Sequence, residues 1–167
     1  RAGGMIPPIP ITPTGWRGVL GDDFTCFNLR RLTRAVARLL RDESPGRRTR
    51  VLIGFDTRFL SDQFAVEVAS VLAEEGAHPI LATGFTPAPA LSHAVARRGL
   101  DAAIHVTAGA HSAEYNGVKL STRAAPPASV RTGRRIAALA NEIQDGSPAR
   151  PLAAAKLPTL DPAPDYR

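Results

Sequence analysis

Three short apolar runs, each separated from the next by a stretch of helical character, constrain this chain most. Arg50 to Phe55 (R-V-L-I-G-F), His78 to Ala82 and Ala102 to Thr107 (A-A-I-H-V-T) are each too short for a buried helix. Runs of this length and composition mark strands covered on both faces. A helix is expected from about Ser61 to Glu75, with Ser61 as its cap and Gly76 as its end. Thr86-Pro87-Ala88-Pro89 opens another, to about Arg98, with proline in the first turn where its missing N–H is tolerated. Upstream, a first helix covers about Phe27 to Arg41 and stops before Ser44-Pro45-Gly46. Downstream, Asn116-Gly117 reads as a tight turn, Val118 to Leu120 as a short fourth strand at an edge, and Ser129 to Gln144 as a last helix. Strands alternating with helices predict a three-layer α/β/α sandwich. Its sheet is expected to be mixed, mostly parallel and four-stranded.

The ends differ in character from this middle. Residues 1–14 are rich in Gly and Pro and are expected to be irregular. Residues 15–145 carry the α/β pattern. Residues 146–167, with Ser147-Pro148, Arg150-Pro151, Leu157-Pro158, Asp161-Pro162 and Ala163-Pro164, read as a linker rather than a packed element. The chain begins at Arg1 rather than Met, so it is expected to be a piece of a longer protein, with the linker leading toward a second domain.

Charge and composition remove several function classes. The net charge is +6, nearly all of it arginine. Arg30, Arg31, Arg34, Arg38 and Arg41 fall on one helix and read as its solvated face. With aromatics at 5%, there is little to stack on bases, so no nucleic-acid partner is expected. No run of about 18 apolar residues exists, so no membrane partner is expected either. A single cysteine, Cys26, excludes an internal disulfide, fits a cytoplasmic setting, and reads as a small hydrophobe at a helix start. His78, His93, His105 and His111 show no metal-ligand spacing.

Four stretches stand out against this background. Thr14-Gly15-Trp16-Arg17-Gly18 sets an arginine between glycines, where a guanidinium can come close to a phosphate. Gly54-Phe55-Asp56-Thr57-Arg58-Phe59-Leu60-Ser61 sits where a strand ends and a helix begins, the place where doubly wound sheets gather ligands. Asp56 reads as structural there, and Arg58 is left open. Thr86-Pro87-Ala88-Pro89-Ala90-Leu91 reads as a rigid helix entry without catalytic weight. Thr107 to Lys119 is a long loop after a strand, holding His111, Ser112, Glu114 and Lys119. A Ser112 nucleophile with His111 as its base is disfavoured, because neighbours in a chain rarely face each other usefully.

In this order and spacing the four stretches, over about residues 11 to 145, resemble domain I of the α-D-phosphohexomutases, the family of phosphoglucomutase and phosphomannomutase. That family carries T-S-G-x-R-G, G-x-D-x-R-x-x-S, T-P-x-P-A-L, and T-A-S-H-N-P followed by x-E-Y-N-G-x-K. The resemblance implies intramolecular phosphoryl transfer on hexose phosphates through a phosphoserine, Mg²⁺ and a sugar bisphosphate. It implies that Arg17 lies near the transfer site and that Lys119 assists proton transfer, and the two are expected near each other and near Gly109, forming a cationic pocket. It implies that hexose phosphate and later domains of a parent protein are the partners.

The chain departs from the family at the decisive position. Thr107 and Ala108 match, as do Glu114 to Lys119 at an unchanged distance. Without a gap, Gly109 falls on the phosphoserine, Ala110 on the histidine, and His111 on the asparagine that follows it. Gly109 has no hydroxyl to carry phosphate or to offer a metal, and the family's main metal ligands belong to a D-G-D-x-D-R run that is absent here. The chain alone is therefore expected to be inactive, with no metal site of its own. A non-catalytic pseudoenzyme, or a module binding a phosphosugar or a partner, is the alternative. Arg17, Lys119 and His111 are the residues expected to meet phosphate.

Overall fold

A computed structural model describes residues 6–12, 15–123 and 128–166. Of the N-terminal segment expected to be irregular, residues 1–5 and 13–14 lie outside the described residues. In chain order the elements are β1 (Trp16–Val19), α1 (Cys26–Glu43), β2 (Arg50–Phe55), α2 (Ser61–Glu74), β3 (His78–Ala82), α3 (Ala88–Arg97), β4 (Ala102–Val106), β5 (Tyr115–Thr122), α4 (Val130–Glu142), β6 (Thr159–Leu160) and α5 (Ala163–Tyr166). The sheet order is β1-β5-β4-β2-β3-β6. β2 pairs in parallel with β3 and β4, and β3 with β6, while β5 runs antiparallel to β4 and β1. The α/β/α class is as expected, and the parallel centre brings the carboxyl ends of β2, β3 and β4 to one edge.

Alternation along β2 divides the core between the two faces of the sheet. Val51 and Ile53 pack with Trp16, Phe24, Leu29, Val36, Val68 and Ile136 on the side of α1, α2 and α4. Leu52 points the other way and packs with Leu91, Val95, Leu100 and Ala103 beneath α3. Thr25 caps α1 by accepting a hydrogen bond from the Asn28 amide, with Cys26 as the first helical residue.

The sheet has six strands rather than four. β1 and β6 are short edge strands with no apolar run of their own, and each exists through the neighbour it pairs with. The fourth expected strand becomes β5, which is longer than expected and interior, between β1 and β4. Asn116-Gly117 is not a turn but lies inside β5. Three backbones crowd at Gly117: a Cβ there would lie 2.4 Å from the Trp16 carbonyl oxygen and 2.9 Å from that of Thr107. Asn116 is fully buried, and its Oδ1 accepts from the Gly117 amide at 2.8 Å. Ser61 does not cap α2 either. Leu60 takes the N-cap in a left-handed conformation, φ 62°, and the Ser61 hydroxyl donates to Asp56 instead.

The arginine stripe of α1 is not uniformly solvated. Arg31 is fully buried and Arg34 is 7% exposed, because α4 and the chain after it cover that side of α1. The Arg31 guanidinium donates to the carbonyls of Ile143 (2.8 Å), Ala140 (3.2 Å) and Pro7 (3.3 Å) and to Asn28 Oδ1 (2.9 Å). It thereby satisfies carbonyls at the end of α4 that no helical partner reaches. Arg34 holds the Asp145 and Ser147 carbonyls and the Glu74 carboxylate.

The proline-rich tail is packed, contrary to the linker reading. The Leu152 amide donates to Ser70 Oγ at 3.1 Å, and Leu157 is buried. Leu81 and Thr83 donate to the Pro158 and Leu160 carbonyls. Proline suits this path because an edge contact needs its carbonyl and not an N–H.

Replacing Arg31 with Leu strands several acceptors together. Denaturant unfolding of the Arg31→Leu variant is expected to show a loss of about 2–4 kcal/mol. The same test on Arg38→Ala, where the side chain is 48% exposed, is expected to move stability by less than about 0.5 kcal/mol.

Candidate active-site cleft

The loop after β4 lies at the carboxyl edge of the sheet, and the turn between β2 and α2 holds it from beneath. Arg58 reaches out of that turn, and its Nη1 donates to the Ser112 carbonyl at 2.8 Å and the Tyr115 carbonyl at 3.0 Å. Its Nη2 donates to the Gly109 carbonyl at 2.8 Å and to that of His111. Asp56 aims this clamp. Its Oδ1 accepts from the Arg58 amide and Ser61 Oγ, each at 3.0 Å, and its Oδ2 accepts from Thr107 Oγ1 at 2.6 Å. Thr107 Oγ1 in turn accepts from the Gly109 amide at 3.0 Å. The structural reading of Asp56 holds, and Arg58, left open in the sequence, organises the loop.

Gly109 turns in a left-handed conformation, φ 63°. A Cβ built there would sit 3.5 Å from Lys119 Nζ. Lys119 lies on β5 directly across from His105 on β4. Together with Asp56, Thr57, Phe85, Thr86, Pro87, Ala88, Pro89 and Thr107, these three residues line an open cleft of about 420 Å³. Arg17 and His111 are not among its lining residues. Arg17 stands on β1 opposite Gly117, and its Nε meets the Ala108 carbonyl at 3.4 Å, on the other flank of the loop. His111 is exposed, with Nδ1 2.9 Å from the Ala108 carbonyl and its ring 5.3 Å from that of Tyr115. Lys119 and Gly109 thus face each other, and Arg17 and His111 brace the backbone one residue earlier.

No Ser112–His111 pair forms. Ser112 Oγ donates to Glu114 at 2.7 Å, and that hydrogen bond holds the Glu114 carboxyl below the usual range. Among the described residues no group of three or more His, Cys, Asp or Glu side chains converges to hold a metal ion.

His105 carries no site role in the sequence reading. It is 6% exposed, and neither ring nitrogen meets a partner in hydrogen-bond geometry. Burial pushes its pKa down to about 4; Lys119 acts in the same direction, and Asp56 and the Thr86 and Phe55 backbones oppose it. A histidine inside an otherwise apolar strand was the available signal. Its meaning depends on the register that sets it opposite Lys119.

Comparisons with known proteins agree with this fold. Residues 12–147 match the model of the phosphoglucomutase/phosphomannomutase α/β/α domain I. The chain belongs to that family. Over 132 residues it is 33% identical to a Vibrio cholerae phosphomannomutase, covering 77% of this chain and 28% of that protein. Over 70 residues it is 44% identical to a Staphylococcus saprophyticus phosphoglucomutase, covering 42% of this chain and 13% of that protein. A Thermus thermophilus structure described as a phosphomannomutase superposes with a TM-score of 0.82 at 32% identity, covering 94% of this chain and 34% of that one. This domain I therefore spans about a third or less of the length of the relatives it matches. No helix among the described residues is long and apolar enough to cross a membrane.

A buried neutral imidazole makes folding depend on pH. In the unfolded chain His105 takes up its proton near 6.5, and in the folded chain only near about 4. Stability is fully present above that window and is lost as pH falls through it, by up to about 3 kcal/mol. Denaturant unfolding across the window is expected to show this slope in the native chain and to lose it in His105→Leu.

Proposed function

We propose that this chain serves as the first domain of a hexose-phosphate mutase-like protein and that alone it transfers no phosphoryl group. The observation that carries this reading is Gly109, which faces Lys119 from the position that the family resemblance gives to the phosphoserine. Phosphoryl transfer relies on positioning and on charge stabilisation, so it needs an acceptor oxygen at a defined point. Gly109 supplies none. Ser112 is three residues on, up to about 10 Å along an extended chain, and its hydroxyl is engaged by Glu114. Lys119 remains at the cleft and Arg17 beside Ala108, which suits anion binding more than transfer.

The Mg²⁺ that the resemblance implies does not fit the donors that line this cleft among the described residues. Asp56 is the single carboxylate of the cleft lining, and both its oxygens are bonded within the loop framework. On the same reading residues 15–145 are the domain and 146–167 lead toward a second one, supported by the greater length of the relatives. The single cysteine suits a reducing cytoplasm.

A second reading, a non-catalytic pseudoenzyme or phosphosugar-binding module, is favoured by the cleft itself, which stays open with Lys119 in its lining although no acceptor hydroxyl stands at residue 109.

The test grafts this domain onto the later domains of an active phosphomannomutase relative. Incubated with glucose 1,6-bisphosphate and Mg²⁺, the unaltered graft is expected to keep its intact mass, and the G109S/A110H graft to gain one phosphate. The left-handed turn at residue 109 costs a serine about 1–2 kcal/mol, which the clamped loop must absorb. A phosphate on Ser112 of the unaltered graft would contradict the reading.

A further inference from the structure

The edge of the sheet opposite the cleft has no role so far, and it carries a second concavity. At the amino ends of β2 and β3, a hollow of about 320 Å³ opens between the ends of α1 and α2. Arg41, Arg47, Arg48, Thr49 and Glu75 are its polar lining. Each of the three guanidiniums is anchored on one side. Arg48 Nε donates to the Ala77 carbonyl at 3.1 Å, which leaves both its terminal nitrogens without a protein partner among the described residues. Asp101 holds Arg47, accepting from its Nη1 at 3.0 Å and from its Nη2 at 2.6 Å. Arg41 Nη1 donates to the Glu75 carbonyl at 3.4 Å and lies 3.5 Å from the Glu75 carboxylate.

Positive charge is in surplus at this edge. Both carboxylates are shared with further arginines, Glu75 with Arg34 and Asp101 with Arg123, each at 3.5 Å. The negative ends of the α1 and α2 dipoles are met by caps: the Ser44 amide donates to the Arg41 carbonyl at 3.2 Å, and the Ala77 amide to that of Leu72 at 2.9 Å. Thr49 is an independent sign of a ligand. It is 4% exposed and lines the hollow, yet its hydroxyl meets no protein partner among the described residues. Hydroxyls so buried are ordinarily hydrogen-bonded, and a group seated among the arginines would supply the bond.

We propose that this hollow binds a small, compact anion with two linked phosphate groups, of the kind of inorganic pyrophosphate. Arginine builds it without lysine, and a guanidinium fork meets phosphate oxygens two at a time. Side chains already anchored lose little further freedom on binding. Arg41 comes from α1, and Arg47 and Arg48 from the segment before β2, so the cations converge from two elements and suit a ligand charged at two points. No aromatic side chain lines the hollow among the described residues, so a base or sugar has no ring to stack on. The hollow's size falls in the range of small-ligand sites. This site goes beyond the proposed function and does not depend on Gly109 or on the cleft.

Calorimetry on the 167-residue chain tests this with pyrophosphate, orthophosphate and ADP. Pyrophosphate is expected to saturate one site and to bind at least about tenfold tighter than orthophosphate, the scale of one more charge-assisted hydrogen bond. ADP is expected to bind no tighter than pyrophosphate. Arg48→Gln is expected to weaken pyrophosphate about tenfold, and Arg131→Gln, on α4, to leave it unchanged. Both arginines are exposed, so both variants are expected to fold, and thermal unfolding checks this. Nuclear magnetic resonance supplies a readout independent of any variant: pyrophosphate is expected to shift the amides of Gly46, Thr49 and Gly76 and to leave those of Gly109 and Lys119 in place. No saturation by pyrophosphate, ADP binding tighter by about tenfold, unchanged binding in Arg48→Gln, an equal loss in both variants, or shifts confined to Gly109 and Lys119 would overturn the proposal. The graft experiment is separate: phosphate uptake on Ser112 would defeat the account of Gly109 and leave this site standing.

Discussion

A single guanidinium holds the carboxyl edge of this domain together. Arg58 gathers the carbonyls of Gly109, His111, Ser112 and Tyr115 around one planar group. An arginine offers five N–H donors in a fixed fork, so four loop carbonyls meeting it lose most of their freedom at once. Arg58 is itself fixed, because Asp56 accepts from its amide and lies 3.6 Å from its Nε. The carboxylate then reaches across to Thr107 and through it to the Gly109 amide. The conformation of Gly109, and so the line between it and Lys119, follows from this chain of contacts.

The rest of the sheet serves that edge. Gly117 lets β1 and the Thr107 backbone close in on β5, which sets Arg17 beside Ala108. The β4–β5 register places His105 against Lys119. Asn116 links β5 back to α2 through Ser61, whose hydroxyl also serves Asp56. Leu60, strained in a left-handed conformation at the start of α2, lies in the same turn. Strain of this kind costs about 1–3 kcal/mol and survives where surrounding contacts over-determine the backbone.

What was legible in the sequence follows from what each residue needs. β2, β3 and β4 were visible because strands buried on both faces must be apolar throughout. β1 and β6 were not, since a short edge strand is defined by a partner far away in the chain. Asn116-Gly117 misled because local turn chemistry and a crowded backbone crossing both call for glycine. Arg31 and the tail misled together: a helix face looks solvated until the segment that covers it is known. At the site, Gly109 and Lys119 were singled out by spacing against a family pattern, while Arg17, singled out the same way, falls outside the cleft lining. Arg58 could not be given its role, because its partners are backbone carbonyls, which leave no mark on residue type. His105 looked like a strand residue until the register set it against a lysine.

The central claim is that Arg58 imposes the loop conformation that Gly109 adopts. Hydrogen exchange on Arg58→Ala tests it at the amides of Gly109, His111 and Tyr115, each of which is hydrogen-bonded within the loop. These amides are expected to exchange at least about tenfold faster than in the native chain, a loss of about 1.4 kcal/mol in local opening free energy. The amides of β2 and β4 are expected to keep their protection. Unchanged exchange at the three loop amides would show that the loop holds its shape without the clamp and would contradict the account.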